Sequence, residues 1–419
     1  MPGILARRIA AVVGSLTKEE PVVALQGPRA VGKTTLLRAI AAAEAVEVVD
    51  LDDLATREAA AADPATFVSG PSPVCIDEYQ QVPDLLDSIK AELNRNSSPG
   101  RFIITGSTRH DALPRAAQAL TGRLHLVTIY PFSQGEIGGI RENLVEVLFG
   151  DASRLVNPEP SSTSREEYIQ RVVTGGFPMA LWRTEAARNR WFDNYVTLSL
   201  ERDVTEVSRI RQRRALPGLL SRLAGQTAQM LNMASAGASV GLKADTAENY
   251  TKLLEAVFLV HRLPAWGKSL RARAVATPKL HLVDSGLAAR LLRLSAGKLA
   301  RREPTSLQEF GHLFETFVVG EVLKQVSWME GISGVGHWRT HDGSEVDLVI
   351  ERDDGGIVGI EVKAGSRVQD RDLAGLRILK GELGDAFVAG AVLHTGPRAY
   401  TVEERIHVAP ADRLWIPVG

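Results

Sequence analysis

The sequence has one cysteine, few aromatic residues and almost no net charge. A single cysteine, Cys75, allows no internal disulfide, which fits a reducing cytoplasm. Cys75 lies in an apolar segment, where we expect a buried thiol. The 49 Lys and Arg residues nearly balance the 50 Asp and Glu residues. No global attraction to nucleic acid is therefore expected, and any such contact has to come from local basic patches.

Long apolar runs are also lacking. No stretch approaches the roughly 18 to 20 apolar residues of a membrane helix, so we expect no membrane-spanning segment. Residues 7–13 (RRIAAVV) faintly resemble a signal sequence, but the run is short and KEE follows at 18–20, which favours an amphipathic helix. The 419 residues, with 44% apolar and 24% charged residues, predict a globular protein of two to four domains.

Residues 22–35 read VVALQGPRAVGKTT, an apolar strand followed by GxxxxGKT and the start of a helix. Gly27 and Gly32 permit backbone angles that direct N–H groups toward phosphate oxygens. Lys33 is expected to reach the β- and γ-phosphates of ATP, and the Thr34 hydroxyl to bind Mg²⁺. A chance glycine turn is the alternative, and the flanking strand and helix argue against it. The predicted nucleotide site comprises Gly27, Pro28, Arg29, Ala30, Val31, Gly32, Lys33, Thr34 and Thr35.

Short apolar strands alternate with helical stretches up to about residue 132, which predicts a parallel sheet. The expected strands are 22–26, 46–50, 73–77, 102–105 and 124–129. Asp77 and Glu78 follow the third strand at its carboxyl end, where open α/β sheets bind ligands. We interpret Asp77 as a Mg²⁺ ligand through water and Glu78 as the residue that orients or deprotonates the attacking water. An acidic pair that only caps the next helix is the alternative.

Hydroxyl and guanidinium groups follow in the same part of the chain. The fourth strand ends at Thr105 and Ser107, either of which is a candidate γ-phosphate sensor or a plain turn residue. Arg109 and Arg123 are candidates for a transition-state arginine acting within the chain or from a neighbouring subunit, with ordinary surface arginine as the alternative. Arg123 is preferred because a Thr-Gly turn directly precedes it.

These motifs together resemble the family of prokaryotic AAA-type ATP-binding proteins that carry a conserved C-terminal domain of unassigned function. The segments that carry the resemblance are 27–34, 77–78, 105–107 (TGS), 120–123 (LTGR), 130–133 (YPFS), 168–180 and 195–204. The resemblance spans nearly the whole chain. It implies an ATPase domain over residues 1–140 and does not say what ATP hydrolysis drives.

Residues 141–215 are expected to form a helical connector and residues 216–296 a winged helix. Arginines accumulate near the end of the connector, namely Arg202, Arg209, Arg211, Arg213 and Arg214. They could form a solvated helix face, a surface that contacts phosphates, or ion pairs between domains. In the winged helix a helix beginning near residue 245 precedes two strands that enclose a basic loop. If this unit binds duplex DNA, the contacts are expected from Thr246, Asn249, Tyr250 and Lys252, with Lys268, Arg271 and Arg273 on the loop. Packing within an ATPase is the alternative role.

Residues 297–419 hold a second cluster of charged groups. Segments 343–350 and 357–363 read as two strands of a hairpin, and a strand period of two places Val346, Leu348 and Ile350 on one face and Asp347 on the other. Glu361 and Lys363 share a face of the second strand. Upstream, Glu315 borders the apolar stripe of a helix, where a carboxylate needs a partner. A salt-bridged hairpin is the simpler interpretation.

This pattern resembles the PD-(D/E)XK nuclease superfamily. The resemblance implies that Asp347 and Glu361 bind Mg²⁺ or Mn²⁺, that Lys363 positions water or stabilises charge, and that Glu315 completes the metal site. The chain departs from the pattern in having Val346 where the family has proline.

The sequence therefore predicts a multi-domain α/β protein with a P-loop parallel-sheet ATPase of AAA type, a helical connector, a winged helix and a restriction-endonuclease-like domain. We expect a cytoplasmic ATP-dependent, Mg²⁺- or Mn²⁺-dependent deoxyribonuclease with DNA as partner and a homo-oligomer as a further expectation. The alternative is an ATP-controlled DNA-binding or signalling switch whose C-terminal domain does not cleave. A toxin-like or defence effector is a third reading.

Overall fold

The computed structural model describes residues 5–110, 120–157, 159–204, 212–267 and 277–419. Part of the nucleic-acid prediction rests on residues outside these ranges: Arg209, Arg211, Lys268, Arg271 and Arg273. No helix in the described part of the chain is long and apolar enough to cross a bilayer.

Five parallel strands form the sheet of the N-terminal part. They are β1 (Val22–Gln26), β2 (Val48–Asp50), β3 (Val74–Asp77), β4 (Phe102–Gly106) and β5 (Leu124–Thr128). Their order is β2-β3-β4-β1-β5, so β1 lies between β4 and β5. The five predicted strands are confirmed, and Cys75 is buried in β3. The carboxyl ends of β1, β3 and β4 meet at one edge of the sheet.

Helices cover both faces of this sheet. They are α1 (Ile9–Leu16), α2 (Lys33–Ala43), α3 (Leu54–Ala62), α4 (Pro64–Val68) and α5 (Leu85–Leu93). The helix predicted near the N-terminus is confirmed as α1. In α2, Leu36 and Leu37 are buried in the core that includes Val23 and Leu25 of β1.

Helix α6 (Gln134–Gly138) ends the predicted ATPase domain. The connector predicted at 141–215 contains the helices α7 (Leu144–Phe149), α8 (Arg165–Thr174) and α9 (Glu185–Leu198). Hydroxyl side chains cap three of these helices, since Ser133, Ser164 and Thr184 accept backbone N–H groups of the first turn. Arg202 forms an exposed ion pair with Asp52 at 2.9 Å, which joins connector and ATPase domain.

The next part combines short helices with a three-stranded antiparallel sheet. Its elements are α10 (Leu216–Ala224), β6 (Gln229–Met230), α11 (Met233–Ala238), α12 (Ala244–Ala256), β7 (Val260–Leu263), β8 (Lys279–Leu282), α13 (Ser285–Leu291) and α14 (Ala296–Ala300). The strand order is β6-β8-β7. The small residues at 234–238 form most of α11, whose N-terminus Asn232 caps by accepting the Ser235 N–H.

The winged-helix assignment stays a prediction, and one of its proposed DNA contacts is wrong. Tyr250 is 8% exposed, and its hydroxyl accepts the backbone N–H of Gln212 at 3.1 Å. Tyr250 therefore packs inside the protein, while Asn249 of the same helix is exposed.

The C-terminal part is a mixed six-stranded sheet with a long helix on one face and a shorter one on the other. Its elements are α15 (Pro304–Ser327), β9 (Ile332–Arg339), β10 (Glu345–Arg352), β11 (Ile357–Lys363), α16 (Ala374–Leu383), β12 (Phe387–His394), β13 (Tyr400–Glu403) and β14 (Ile406–Pro410). The order is β13-β14-β12-β11-β10-β9. The predicted hairpin is confirmed as β10 and β11, which pair antiparallel with Leu348 opposite Ile360.

The strand-face prediction for Val346 is wrong. The register of β10 on β9 shifts between Val346 and Val349, which marks a bulge. Leu348 and Ile350 belong to the core beside α15, whereas Val346 belongs to the cluster beside α16. The inserted residue changes the alternation of side chains, and it does so directly beside Asp347.

The four predicted segments pack around one continuous core. That core includes Leu37 of the ATPase domain, Phe177 of the connector, Leu254 of α12 and Phe314 of α15. Helix α7 of the connector also packs against β12 of the C-terminal sheet. The segments are therefore mechanically joined rather than separated by open linkers.

Gly175 marks a close approach between the connector and α13. Its φ is +69°, and a Cβ there would overlap the Asp284 carboxylate, which accepts the Gly176 N–H at 2.7 Å. We predict that Gly175→Ala lowers the free energy of unfolding by about 3 kcal/mol or more, measured by denaturant unfolding. The matched control is Gly381→Ala in α16, where a Cβ meets nothing within 4 Å. An equally small effect of both substitutions would contradict the close approach.

Candidate nucleotide and carboxylate sites

The loop between β1 and α2 has the backbone of a phosphate cradle. Gly27 has φ +151° and a Cβ there would overlap the Ile129 carbonyl, while Gly32 has φ +99° and precedes the first turn of α2. Both positions favour glycine, since other residues rarely adopt such angles. The N-terminus of α2 and the N–H groups of the loop provide an anion-binding site at the carboxyl end of β1.

The side chain of Lys33 lies inside this loop. Its Nζ donates to the Gly27 and Pro28 carbonyls, both at 2.9 Å. Burial lowers the pKa of the Lys33 ammonium to about 8, although the nearby Glu78 carboxylate opposes the shift. The cation is thus held where the β- and γ-phosphates are expected.

We predict that nucleotide affinity falls as pH rises through about 8. Phosphate binds the protonated ammonium and raises its pKa, so the affinity is complete below the pKa of the free protein and declines above it. Between about pH 7.5 and about pH 9.5 the affinity should fall roughly ten- to thirtyfold, measured by titration calorimetry. Lys33→Arg is the control, since its guanidinium stays charged and any residual affinity should be flat over this range. A flat profile for the wild-type protein would contradict the prediction.

Asp77 ends β3 beside the loop. Burial raises the pKa of its carboxyl group, while hydrogen bonds from the Thr105 and Thr34 hydroxyls counteract the shift. The hydroxyl of Thr34 and the carboxylate of Asp77 are therefore adjacent. An oxygen pair of this kind suits Mg²⁺, which keeps several waters and binds through one or two protein ligands and phosphate. These residues fit the ion that ATP carries.

Glu78 is held in a defined orientation next to Asp77. It has φ +55°, its backbone N–H donates to Thr105 Oγ1 at 3.2 Å, and its Oε2 accepts the Ser107 hydroxyl at 2.9 Å. The Gln80 amide also donates to Glu78. The structure thus brings Thr105 and Ser107 together with the acidic pair, and a left-handed backbone in a non-glycine residue marks a strained position of a kind found at active sites.

Two arginines connect this edge of the sheet to other parts of the chain. Arg29 of the loop pairs with Asp203, which follows the connector helix α9. Arg109 follows β4 and binds the end of α12, where its Nε donates to the Glu255 carbonyl at 3.1 Å and its backbone N–H to the Ala256 carbonyl at 2.8 Å. Its guanidinium also lies over the Phe258 ring. Arg109 is therefore a contact to the middle part of the chain.

Arg123 lies at the other end of the sheet. It precedes β5, which runs parallel to β1 with Leu124 level with Val22, and its guanidinium donates to Asn94 at 2.8 Å. The nucleotide loop follows the opposite end of β1. This position excludes Arg123 from the site of its own chain, and a role across a subunit boundary stays a prediction.

The carboxylates predicted in the C-terminal part converge, but around a lysine. Lys279 at the start of β8 donates to Glu315 Oε1 at 2.9 Å and to Asp347 Oδ1 at 2.7 Å, and its side chain is only 3% exposed. Burial opposes the charge of Lys279, but the Asp347 and Glu315 carboxylates outweigh it and raise the pKa of the ammonium. The second oxygen of Asp347 accepts the Val362 N–H at 2.9 Å.

Glu361 and Lys363 complete the cluster. Lys363 Nζ donates to Glu361 Oε1 at 2.7 Å, whereas the buried Oε2 of Glu361 has no hydrogen-bond partner. Burial and the Asp347 charge raise the pKa of Glu361 to about 8. Burial and Asp347 likewise raise the pKa of Glu315 well above its ordinary value.

The predicted metal site at Glu315, Asp347 and Glu361 is not formed in this arrangement. Across the described ranges no three His, Cys, Asp or Glu side chains are arranged to hold a metal ion. The physical reason is the Lys279 ammonium, which lies within hydrogen-bond distance of two of the three carboxylates. These residues therefore do not fit Mg²⁺ or Mn²⁺ while Lys279 is in place.

Lys279 was not among the predicted site residues. One signal for it exists, because β8 reads KLHL and a lysine buried at the start of an apolar strand requires a charged partner. The partners themselves lie 36 and 68 residues away, and local patterns do not identify them.

A second missed feature is the junction between the ATPase domain and α15. The Gln134 backbone N–H donates to Glu321 Oε2 at 2.7 Å, and Lys324 Nζ donates to the Phe132 carbonyl at 3.0 Å. Glu321 and Lys324 are buried and paired with each other at 2.6 Å. Helix α15 therefore contacts both the segment after β5 and, through Glu315, the carboxylate cluster.

Comparison with known families supports the first of these sites. Residues 19–138 match a family model described as an AAA domain. The match supports an AAA-type ATPase. Residues 165–298 and 310–414 match models described as domains of unknown function (DUF8612 and DUF4143). Neither description tests the winged-helix or nuclease-like predictions.

The similar proteins and solved structures do not indicate a function for this chain. Uncharacterized proteins from Mycobacterium bovis and Mycobacterium tuberculosis are each 27% identical over 399 residues, which cover 94% of this chain and 81% of theirs. A Walker-type ATPase of Pyrococcus abyssi aligns at 15% identity and TM-score 0.42 over 69% of this chain and 96% of its own. The Thermotoga maritima RuvB Holliday junction branch migration motor aligns at 18% identity and TM-score 0.30 over 62% and 90%. With TM-scores this low, the structural similarities support no conclusion.

Proposed function

We propose that this protein is a Mg²⁺-dependent ATPase whose nucleotide state controls its C-terminal carboxylate cluster. The observation that carries the ATPase is the convergence of Lys33, Thr34, Asp77, Glu78 and Thr105 at the carboxyl edge of one parallel sheet. The AAA match over residues 19–138 supports the same activity.

Each residue of the site has a distinct role. The loop N–H groups and Lys33 bind the phosphates, and Thr34 and Asp77 would hold Mg²⁺, which neutralises charge on the β- and γ-phosphates when bound. Glu78 orients the attacking water, or accepts its proton, from a carboxylate fixed by Ser107 and Gln80. Thr105 contacts both acids and is the sensor of the γ-phosphate.

Two sets of contacts support the proposed control. Ile129 binds the start of the phosphate loop, its N–H donating to the Gln26 carbonyl at 2.7 Å, and the chain from there reaches α15 through Phe132 and Gln134. Along α15, Glu315 precedes Glu321 by six residues, about 9 Å. The second set of contacts runs through Arg109, which lies two residues after Ser107 and binds the end of α12. Strand β7 follows α12 and pairs with β8, where Leu263 lies opposite Lys279.

Subunit contacts and a cytoplasmic, DNA-associated role belong to the same proposal. Arg123 lies on the surface beside Asn94, so it would serve as a transition-state arginine only in the site of a neighbouring copy. DNA binding rests on exposed residues such as Asn249 and Lys252. The switch interpretation is favoured over constant nuclease activity because Lys279 occupies the carboxylate cluster.

Phosphodiester cleavage by the C-terminal site is a second candidate. It is favoured by the convergence of Asp347, Glu361 and Lys363, with an unpaired Glu361 oxygen in the interior. Labelled single- and double-stranded DNA, incubated with Mg²⁺ or Mn²⁺ and with or without ATP, tests it. DNA degradation that Asp347→Ala abolishes would support cleavage by this site. Absence of degradation under all conditions would support the switch interpretation.

The ATPase is tested by phosphate release from purified protein. We expect ATP turnover that requires Mg²⁺, stops on addition of EDTA and is lost in Asp77→Asn, because the oxygen pair with Thr34 is removed. Asp84→Asn, an exposed carboxylate after β3, serves as control. Turnover that survives Asp77→Asn unchanged would refute the assigned site.

A further inference from the structure

The carboxylate cluster of the C-terminal part contains an internal cation supplied by another part of the chain. Lys279 belongs to β8 of the three-stranded sheet, whereas Glu315 lies on α15 and Asp347 on β10. The ammonium lies 2.9 Å from Glu315 Oε1 and 2.7 Å from Asp347 Oδ1. All three side chains are largely buried, with exposed fractions of 3%, 13% and 5%. The cation and its ligand groups are thus brought together only by tertiary packing.

The ammonium and a divalent ion compete for the same oxygens. An ammonium is a compact cation with three donors, and carboxylate oxygens are the ligands that Mg²⁺ and Mn²⁺ prefer. A divalent ion bound to Glu315 and Asp347 would lie within a few ångströms of the Lys279 charge, where repulsion in a buried site is strong. One group has to leave for the other to bind.

The cluster retains capacity for a further cation. Glu361 is 6% exposed, and its Oε2 has no hydrogen-bond partner. Its other oxygen accepts Lys363, not Lys279. Lys279 therefore neutralises two carboxylates and leaves one buried acceptor atom unsatisfied, which is costly for a purely structural ion-pair network.

We propose that Lys279 keeps divalent metal out of the Glu315, Asp347 and Glu361 cluster, which gains a metal site only when this lysine is withdrawn or removed. The proposal does not depend on ATP hydrolysis, and it is tested without nucleotide. A structural ion-pair network is the competing interpretation, and it predicts no metal binding in any variant.

Mn²⁺ binding to the nucleotide-free full-length protein, measured by electron paramagnetic resonance, distinguishes the proposal from the structural ion-pair network. We compare wild type, Lys279→Met and Lys279→Met/Asp347→Asn. Lys298→Met is the control, since this exposed lysine also pairs with a glutamate. Lys279→Met should gain a Mn²⁺ site at least about tenfold tighter than any in wild type, and the double variant should lose it. The control should match wild type.

A charge-balanced variant keeps the test decisive if Lys279→Met fails to fold. Lys279→Met/Glu315→Gln removes one positive and one negative charge and retains Asp347 and Glu361. It should bind Mn²⁺ more tightly than wild type and show a higher melting temperature with Mn²⁺ than without, whereas wild type should show no such shift. The proposal is overturned if wild type already binds Mn²⁺ through Asp347, or if neither lysine variant gains a site.

Discussion

Glu78→Gln should reduce the ATP turnover rate by a factor of about 10² to 10⁴ while leaving nucleotide affinity nearly unchanged. The amide keeps the size of the side chain and can still accept the Ser107 hydrogen bond, observed at 2.9 Å. It cannot accept a proton from the attacking water. The effect should therefore fall on turnover rather than on binding, as expected for an interaction made in the transition state.

Single-turnover phosphate release and equilibrium binding of ATP, measured on the same preparation, check this expectation. Asp87→Asn is the control, because it neutralises an exposed carboxylate in the first turn of α5. A Glu78→Gln protein that turns over ATP at the wild-type rate would show that the acidic pair does not activate water.

Lys33→Ala should weaken ATP binding by roughly 10² to 10³-fold. Lys33 is 4% exposed, and its ammonium donates to the Gly27 and Pro28 carbonyls. Its removal takes away the lysine of the loop and leaves those carbonyls facing the phosphates. Fluorescent nucleotide titration gives the affinity.

The control for Lys33→Ala is Arg38→Ala in the same helix, whose exposed side chain pairs with Asp50 on the surface. It should bind ATP as wild type does. Unchanged affinity in Lys33→Ala would contradict the phosphate-cradle interpretation, including the pH dependence predicted from the pKa of about 8.

The nucleotide site was readable from the sequence because its determinants are local. Gly27, Gly32 and Lys33 lie within one loop, and each strand of the sheet is a short apolar run bounded by turn residues, so the five predicted strands and the positions of Asp77 and Thr105 follow from pattern alone. The sequence pattern also indicates that Arg123 lies away from the nucleotide site. A residue that directly precedes a parallel strand lies at the amino edge of the sheet, away from the ligand edge.

The second site was only partly readable. The strand period of two predicted the hairpin of β10 and β11. It did not predict the bulge beside Val346, which breaks the alternation of side chains. The role of Lys279 was not predicted, because its partners come from α15 and β10 and such contacts depend on packing between distant segments. Tyr250 was misplaced for the same reason, since its partner Gln212 lies 38 residues away.

If nucleotide state at the P-loop controls the carboxylate cluster, backbone exchange around the cluster has to depend on the bound nucleotide. Hydrogen exchange of the wild-type protein, measured by mass spectrometry without nucleotide, with ADP and with a non-hydrolysable ATP analogue and Mg²⁺, tests it most directly. We expect both nucleotides to protect residues 27–35 from exchange. We also expect the exchange rates in β8 and in residues 345–363 to differ between the ATP analogue and ADP by about tenfold or more. Protection of the loop with identical exchange around Lys279 and Asp347 in all three states would contradict it.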